Sequence, residues 1–504
     1  MSRRLSMLAT FILLLFVILA AQSAYVQYFH ASALAQSSEN PRNNTVSSSQ
    51  PRGQILAADG TILADSLPVG TTGSYFQREY PLGALTAGVV GFVAPALGGA
   101  SWGLEEQYNS YLTAHTQPAQ NFEQVLAPTT SADNVQTTIY PALQKIAQVA
   151  MGGQDGAAVV IQPQTGAIMA MYSNPTYEPE YLASPSYSTA LSYYNKYAKN
   201  NANGFPPLGL VATQQIFPPG STFKVITTAA ATVYQPALLT KVYPNINYYT
   251  PPQTNHQIFN SGFSACGGTV QQMLPVSCDP GYAHLGVDVG AVALSKEANA
   301  FGYNSTPPID LPLGRPIISN AIFPSAASFK YNVPFLAYSA IGQGNVRSTT
   351  LEQALVAAGI ADGGTIMTPH LMASIVGPDG TLITKYKNSV WKKPLTTAQA
   401  NVIVPLMRNV VLNGTASGIF FPQDEVAAKT GTAQERNNTL TDDWMIAFAP
   451  ASHPTVAVAV MLPYQSVNAF GATVAGPIIK CLVAGALAIQ AGQPATGTSS
   501  TCVS

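Results

Sequence analysis

The sequence predicts an α+β protein whose main domain has an antiparallel sheet flanked by helices. First, β-rich runs lie both before and after a helical block, which is typical of an α+β domain, here over about residues 153–490. Second, a chain of 504 residues exceeds one ordinary core, so further folded units are expected. Third, an apolar run of about eighteen residues follows Arg3 and Arg4, which is near the lower limit for a spanning helix.

The N-terminal segment predicts a membrane anchor. Arg3 and Arg4 would stay in the cytoplasm, so the rest of the chain would be exported. A cleaved signal peptide is the competing interpretation, because residues 33–35 resemble a cleavage site. That site lies well beyond the apolar run, which favours a retained anchor over residues 1–30. The Ser/Asn-rich residues 31–50 are then expected to form a flexible linker.

The composition argues against nucleic acid as a partner. Charged residues make up 9% of the chain and the formal net charge is -1, so no basic face that would neutralise phosphates is implied. The histidines are dispersed and the cysteines lack metal-site spacing. We therefore expect neither a metal nor another cofactor.

The four cysteines all lie in the part predicted to be exported, where disulfides can form. Cys266 and Cys278 close a short loop and are the preferred bridge. Two alternatives remain open for the other two: Cys481 pairs with Cys502, or Cys481 is buried and Cys502 is free in a flexible tail, residues 491–504.

The first half of the exported chain predicts hairpins and amphipathic helices. Asp59 and Gly60 form a turn signal between two alternating runs, which indicates a β-hairpin. Residues 103–115 and 137–151 have the periodicity of amphipathic helices. Residues 156–171 contain two β-rich runs joined by Pro-Gln-Thr-Gly, which predicts an antiparallel hairpin.

The second half predicts a helical block followed by strands. Residues 222–235 are typical of a buried helix, and residues 284–301 and 349–361 are further helix candidates. Strand candidates lie within residues 425–434 and 442–462, where β-branched and aromatic residues are frequent.

A serine and a lysine at helical spacing predict a nucleophile and its base. Pro218, Pro219 and Gly220 disfavour a helix interior, so the helix is expected to begin at about Ser221. Lys224 lies one turn along on the same face, and burial would lower its pKa enough for it to act as a base. The competing interpretation is an N-cap serine and a surface lysine.

The stretch Lys429, Thr430, Gly431 and Thr432 predicts a site for a peptide carboxylate. Two hydroxyls can donate hydrogen bonds, the ammonium supplies positive charge, and glycine leaves room for a ligand backbone. A strand edge also offers backbone groups that pair with an extended substrate. An ordinary strand with a solvated lysine is the alternative.

S-x-x-K and K-T-G are members of the motif set of β-lactamases and penicillin-binding proteins. The chain resembles the class B penicillin-binding proteins, and among them most the penicillin-binding protein A subfamily. The resemblance extends over nearly the whole exported chain, through "RGQILAADGTILA", "GLEEQYNSYL", "VVIQPQTGAIMAMYSNPTY", "YSAIGQG" and "DDWMIAFAP".

The resemblance implies a role for each site residue. It makes Ser221 the acylated nucleophile, Lys224 the base, and Ser277 the proton shuttle to the leaving amine. The backbone N–H groups of Ser221 and Thr432 would form the oxyanion hole. The residues implied to hold the terminal carboxylate of the substrate are Lys429, Thr430 and Thr432, beside Gly431.

The second motif departs from the S-x-N pattern of the family, because the chain has Ser277, Cys278 and Asp279. An aspartate in the substrate-binding position accepts hydrogen bonds but donates one only when it is protonated. A charged Asp279 would also hold Lys224 protonated and weaken it as a base. The expectation is therefore a neutral Asp279, reduced turnover, or a substrate held differently.

The implied activity is that of a D,D-transpeptidase, acylated by β-lactams, that cross-links peptidoglycan outside the cytoplasmic membrane. The resemblance also implies an N-terminal pedestal of the dimerisation type over residues 51–152, a transpeptidase domain over residues 153–490, and a membrane glycan polymerase as partner in cell division or cell shape. Two alternatives remain open. A D,D-carboxypeptidase or β-lactamase would pass the acyl group to water, and a scaffold or sensor would have lost turnover through Asp279.

Overall fold

The computed structural model describes residues 2–29, 50–69, 75–116, 130–312, 319–435 and 439–495. Most of the predicted linker and the last residues of the predicted tail, with Cys502, lie outside the described residues. The expectations for these segments therefore stay predictions.

One sheet is built mainly from residues 55–137. In chain order its strands are β1 (Ile55–Leu56), β2 (Ile62–Val69), β3 (Tyr75–Glu79), β4 (Asn134–Thr137), β7 (Met372–Val376) and β8 (Leu382–Lys385), and their spatial order is β8-β7-β4-β1-β2-β3. Gly60, at φ 85°, lies in the turn between β1 and β2, so the hairpin predicted at Asp59-Gly60 is confirmed. Strands β7 and β8 come from far along the chain and extend this sheet.

The second sheet lies at the centre of the larger domain. Its strands are β5 (Gly156–Ile161), β6 (Ile168–Asn174), β9 (Ala427–Glu435), β10 (Leu440–Ala449) and β11 (Val456–Ser466), in the order β6-β5-β11-β10-β9. All neighbouring pairs are antiparallel. The hairpin predicted over residues 156–171 and the strands predicted after residue 425 are thus confirmed.

The longer helices of the described residues are α1 (Ser2–Phe29), α2 (Pro141–Met151), α3 (Tyr187–Tyr197), α4 (Lys224–Tyr234), α5 (Asp279–Val289), α6 (Ala291–Ala300), α7 (Val333–Ala340), α8 (Thr350–Ala361), α9 (Thr397–Asn413) and α10 (Gly471–Gln490). The short helices are Ala87–Val90, Gly103–Gln107, Asn109–Leu112, Pro179–Ala183, Val211–Gln214 and Val270–Met273. Short two-stranded ribbons are Phe92–Ala94 with Ala100–Trp102, His115–Thr116 with Thr130–Ser131, Tyr243–Ile246 with Cys266–Gly268, Tyr248–Tyr249 with Ile258–Phe259, and Ile366–Met367 with Val390–Lys392.

Helices cover the five-stranded sheet. Both α8 and α10 pack against β10 and β11. Every residue of β10 after Leu440 is buried, and so is every residue of β5, which is the pattern of strands covered on both faces. The predicted α+β architecture, with an antiparallel sheet flanked by helices, is confirmed.

Two predicted helices are interrupted in the structure. The helix expected over residues 284–301 is divided between α5 and α6 at Gly290, whose φ of 85° is incompatible with a continuous helix. The helix expected over residues 103–115 is divided at Tyr108, whose backbone is not helical, and it ends at Leu112, before an extended Thr113. Local periodicity does not reveal such breaks, because both halves keep their apolar faces towards the core.

Apolar helices occur at both ends of the described chain. By length and composition α10 could cross a membrane, but half of its most apolar window is buried inside the protein, so we assign it to the core. Within α1 the shorter apolar stretch Thr10–Ser23 has exposed side chains. This stretch coincides with the predicted anchor.

Candidate active site

The segment that carries Ser221 is shaped by the prolines and glycine that precede it. Gly220, at φ 53°, opens a 3-10 turn, Gly220–Phe223, and the α-helix α4 begins at Lys224. The helix predicted from Ser221 thus starts with one tighter turn. Trp444 Nε1 donates a hydrogen bond to the carbonyl of Pro218 at 2.9 Å, which ties this turn to β10.

Close backbone contacts place β9 against this turn. A Cβ atom on Gly220 would lie 2.8 Å from the carbonyl oxygen of Thr432, and one on Gly431 would lie 2.8 Å from that of Pro219. Gly220 N–H also donates to the carbonyl of Gly342 at 3.0 Å, in the "GQG" segment. The segments that carry Ser221 and Lys429 are therefore adjacent.

Lys224 points towards the second motif. Its Nζ donates to the Ser277 carbonyl at 2.6 Å and to Ser277 Oγ at 3.2 Å, and it lies 2.8 Å from Asp279 Oδ1. Within the described part of the chain, Lys224 makes no hydrogen bond to Ser221, which is half-buried. The structure thus brings Lys224, Ser277 and Asp279 together.

Ser277 lies between two lysines. Lys429 Nζ donates to Ser277 Oγ at 2.9 Å and to the carbonyl of Thr430 at 2.8 Å. Both lone pairs of the Ser277 hydroxyl are therefore used by the two amines, and its proton is free to point elsewhere. Such a hydroxyl can pass a proton between an amine and a reacting group.

Burial controls the charge of both lysines, whose side chains are fully buried. Burial lowers the pKa of Lys224, although the neighbouring Asp279 carboxylate opposes this effect. The pKa of Lys429 is well below its ordinary value because of burial and the proximity of Lys224, again opposed by Asp279. Two ammonium groups so close together are costly, so the site favours a neutral amine.

The second motif contains a residue with a positive φ, and residues outside the motif bind its backbone and its cysteine. Ser277 has a φ of 55°, in the left-handed region. Cys278 forms a disulfide with Cys266, so the predicted bridge is confirmed. Asp279 N–H donates to Asn260 Oδ1 at 3.0 Å, and Asn260 Nδ2 donates to Ser264 Oγ at 2.7 Å. Sequence reasoning missed Asn260, because it lies in a loop without a motif.

The two threonines of the third motif have separate partners. The hydroxyl of Thr430 forms a hydrogen bond with that of Thr415 at 2.7 Å. The hydroxyl of Thr432 accepts one from Gly471 N–H at 3.0 Å, at the start of α10. Neither Thr415 nor Gly471 was expected at the site, since nothing in the sequence signals their proximity.

Two protein families match this chain, one after the other. Residues 156–484 match the family described as penicillin binding protein transpeptidase domain. Residues 52–138 match the one described as penicillin binding protein A dimerisation domain.

Relatives and solved structures cover nearly all of the chain. The peptidoglycan D,D-transpeptidase PbpA of Mycolicibacterium smegmatis is 34% identical over 97% of this chain and 99% of its own length. PbpA of Mycobacterium tuberculosis H37Rv is 33% identical over 97% of this chain and 99% of its own length. The penicillin G acyl-enzyme of M. tuberculosis penicillin-binding protein A is 32% identical, covers 87% of this chain and 100% of its own, and has a TM-score of 0.76.

Proposed function

Because this chain belongs to the penicillin-binding protein transpeptidase family, we propose that it cross-links peptidoglycan stem peptides through an acyl-enzyme on Ser221. It is a peptidoglycan D,D-transpeptidase that β-lactams acylate, in agreement with its PbpA relatives and their acyl-enzyme structures. The residues that perform each step are part of the proposal.

Acylation forms one bond and breaks another. Ser221 Oγ attacks the carbonyl carbon between the last two D-Ala residues, and Lys224 takes the hydroxyl proton. The N–H groups of Ser221 and Thr432 stabilise the oxyanion. The C–N bond then breaks, and Ser277 delivers a proton, replaced from Lys224, to the departing D-Ala amine. An amine of a neighbouring stem subsequently attacks the ester and frees Ser221.

The observation that supports this mechanism best is the position of Ser277 Oγ, 3.2 Å from Lys224 Nζ and 2.9 Å from Lys429 Nζ. A base, a shuttle hydroxyl and a second lysine on the third motif are thus in one contiguous network. Lys429, Thr430 and Thr432 are proposed to bind that carboxylate, with Gly431 giving room for the peptide backbone.

The alternatives differ in the fate of the acyl group. A D,D-carboxypeptidase or β-lactamase would transfer it to water, whereas a scaffold or sensor with a spoiled site would not form it. The near-full-length similarity to named transpeptidases favours transfer to an amine. The lowered pKa of Lys224 argues that Asp279 has not disabled the base.

Location and partners extend the proposal. We place α1 in the cytoplasmic membrane with the catalytic domain outside, on the grounds of Arg3, Arg4 and the exposed apolar stretch Thr10–Ser23. The division into a pedestal over residues 51–152 and a transpeptidase domain over residues 153–490 is part of the same proposal. A membrane glycan polymerase would supply the strands that are cross-linked.

Mass spectrometry of the exported segment after exposure to penicillin G tests the nucleophile. We expect one adduct, on the peptide that contains Ser221, and none in Ser221→Ala. Residues 466–468 read S-V-N, but they follow K-T-G, whereas the family places its second motif before it. Ser466→Ala is therefore the matched control and should label as wild type does. An added amine acceptor should capture the acyl group of a stem-peptide substrate, and purely hydrolytic release would favour the carboxypeptidase.

A further inference from the structure

A buried carboxylate lies beside the third motif. Thr432 on β9 is the cross-strand partner of Asp443 on β10, so their side chains share one face of the sheet. Asp443 is fully buried, and no role has been assigned to it above. Its closeness to a hydroxyl that is proposed to bind substrate raises the question of which group receives the hydroxyl proton.

The hydroxyl of Thr432 has one hydrogen bond already fixed. It accepts from Gly471 N–H at 3.0 Å. Gly471 is tightly packed between two strands: a Cβ atom there would lie 2.2 Å from the carbonyl oxygen of Trp444 and 2.3 Å from that of Gly431. One lone pair of Thr432 is thus occupied, and one lone pair and the proton remain.

Asp443 needs a donor. Its Oδ2 lies at a long 3.3 Å from Thr441 Oγ1, and the single proton of that hydroxyl has a second acceptor, the Ser466 carbonyl, at 3.1 Å. Among the described residues, Oδ1 is buried and has no hydrogen-bond partner. Burial raises the pKa of Asp443 to about 6, against the opposing effect of the hydroxyls of Thr432 and Thr441.

The described groups around Asp443 are uncharged, with one exception. Strand β9 presents Thr432, β11 presents Leu462, and the start of α10 presents the amide of Gly471. The exception is the adjacent Asp442, whose Oδ1 accepts from Tyr464 N–H at 3.2 Å. By sequence, Glu435, the last residue of β9, and the next residue, Arg436, are charged.

We propose that Asp443 is a positioning residue that competes with the substrate carboxylate for the proton of Thr432. An ionised Asp443 accepts the hydrogen bond that the Thr432 hydroxyl donates. A lone pair of the Thr432 oxygen then faces the substrate. A protonated Asp443 instead donates to the second lone pair of Thr432, which leaves the Thr432 proton for the substrate carboxylate. Carboxylate recognition therefore strengthens as the pH falls. This inference rests on the proposed role of Thr432.

The test compares Asp443→Asn with wild type across pH. The amide donates to Thr432 at every pH, so the variant should be acylated by penicillin G about tenfold faster than wild type at pH about 8. The ratio should approach one at pH about 5, where Asp443 of wild type is itself protonated. Titration of Lys224 is present in both proteins and largely cancels in this ratio.

Three controls make the result decisive. Asp442→Asn removes a neighbouring buried carboxylate and should not reproduce the change. In the background Thr432→Val, the substitution Asp443→Asn should have no effect. On wild type itself, the methyl ester of penicillin G should lack the part of the pH dependence that belongs to the carboxylate.

A ratio that is independent of pH, or an effect that persists with Thr432→Val, would overturn the inference. If Asp443→Asn does not fold, the pH dependence of acylation of wild type by penicillin G and by its methyl ester still tests the inference. Failure of the proposed function would look different, because wild type would then form no adduct on Ser221 with either compound.

Discussion

Asp279 occupies the position where the family motif has asparagine, and its carboxylate lies 2.8 Å from Lys224 Nζ. An asparagine there would add no charge beside the lysine. The carboxylate instead opposes the lowering of the Lys224 pKa that burial causes. At the scale of one residue, burial and the Asp279 carboxylate act on the pKa of Lys224 in opposite directions, and burial has the larger effect.

Replacing Asp279 with asparagine should therefore speed acylation. Without the carboxylate the pKa of Lys224 falls further, so a larger fraction is neutral near pH about 7, and we expect a gain of up to about tenfold. The measurement is the rate of fluorescent penicillin labelling as a function of pH. In the variant, the rise of this rate with pH should begin at a more acidic pH than in wild type. Unchanged labelling would mean that Asp279 does not control the base.

The loop before the second motif acts at the scale of an element. Asn260 accepts from the first N–H of α5, at Asp279, and the Cys266–Cys278 disulfide joins the same loop to the motif. A helix start leaves N–H groups without intrahelical partners, so a side-chain acceptor at this position stabilises it. The Asn260 hydrogen bond and the disulfide thus both act next to Ser277, whose φ is positive.

Removing the Asn260 amide should loosen the motif. We expect Asn260→Ala to lower the free energy of unfolding by about 1–3 kcal/mol, because a buried N–H loses its acceptor, and to slow penicillin labelling. Thermal unfolding and labelling rates measure the two effects. Ser264→Ala removes the hydrogen bond from Asn260 and the one that Ser264 donates to the Ser261 carbonyl, but it keeps the Asn260 acceptor for the motif, so it should slow labelling less. Equal slowing would place the effect in the loop rather than in the motif.

The "GQG" segment also acts through its backbone. A Cβ atom on Gly342 would lie 2.1 Å from the Gly220 carbonyl oxygen, in the turn that carries Ser221. Gly342→Ala should therefore displace this turn and reduce labelling at least about a hundredfold. Gly344→Ala is matched for backbone strain, since φ is 75° at Gly342 and 69° at Gly344, but its nearest neighbour is the Phe335 ring at 3.1 Å. Similar losses in both variants would contradict a specific contact.

At the scale of the whole molecule, the N-terminal part is held by a buried ionic cluster. Glu105 pairs with Arg52 at 2.8 Å and with Arg78 at 2.6 Å, so the "RGQ" and "GLE" segments meet. Burial alone would raise the pKa of Glu105, but the two arginines outweigh it and lower the pKa overall.

Glu105→Gln should destabilise the protein by about 3–5 kcal/mol, because it leaves two largely buried guanidinium groups without their anion. In wild type the folded pKa of Glu105 is depressed, so its stabilising effect is present above its unfolded pKa and is lost as the pH falls through the folded value. Chemical denaturation of both proteins at pH about 7 and at pH about 3 measures the loss of stability in the variant and its pH dependence. A variant as stable as wild type at neutral pH would refute the expectation, and Glu106→Gln is the adjacent control.

A second carboxylate links distant parts of the chain. Asp310 accepts from Tyr108 OH at 2.7 Å and from the backbone N–H groups of Leu371 and Met372 at 2.6 and 2.8 Å. Met372 begins β7 and Leu371 immediately precedes it; β7 is the strand that brings a late part of the chain to the sheet of β1–β4. Asp310 thus connects the N-terminal helical segment around Tyr108 to a late strand of the six-stranded sheet.

Much of this protein follows from local sequence. The turn at Asp59-Gly60, the hairpin of β5 and β6, and the spacing of Ser221 and Lys224 depend on neighbouring residues, so pattern and propensity predict them. The motifs S-x-x-K and K-T-G also identified the family, because their residue types are required by the chemistry. The sequence alone therefore determined the fold class, the reaction and the candidate nucleophile.

Tertiary structure decided which groups meet. That Lys224 contacts Ser277 and Asp279 rather than Ser221, and that Asn260, Thr415, Gly471 and Asp443 surround the motifs, depends on strand register and on glycines that let backbones approach. The breaks at Gly290 and Tyr108 are likewise visible only in the structure, as a positive φ and a backbone that is not helical. The physical reason is that burial and charge, which set the pKa values of the lysines, arise from residues far apart in the chain.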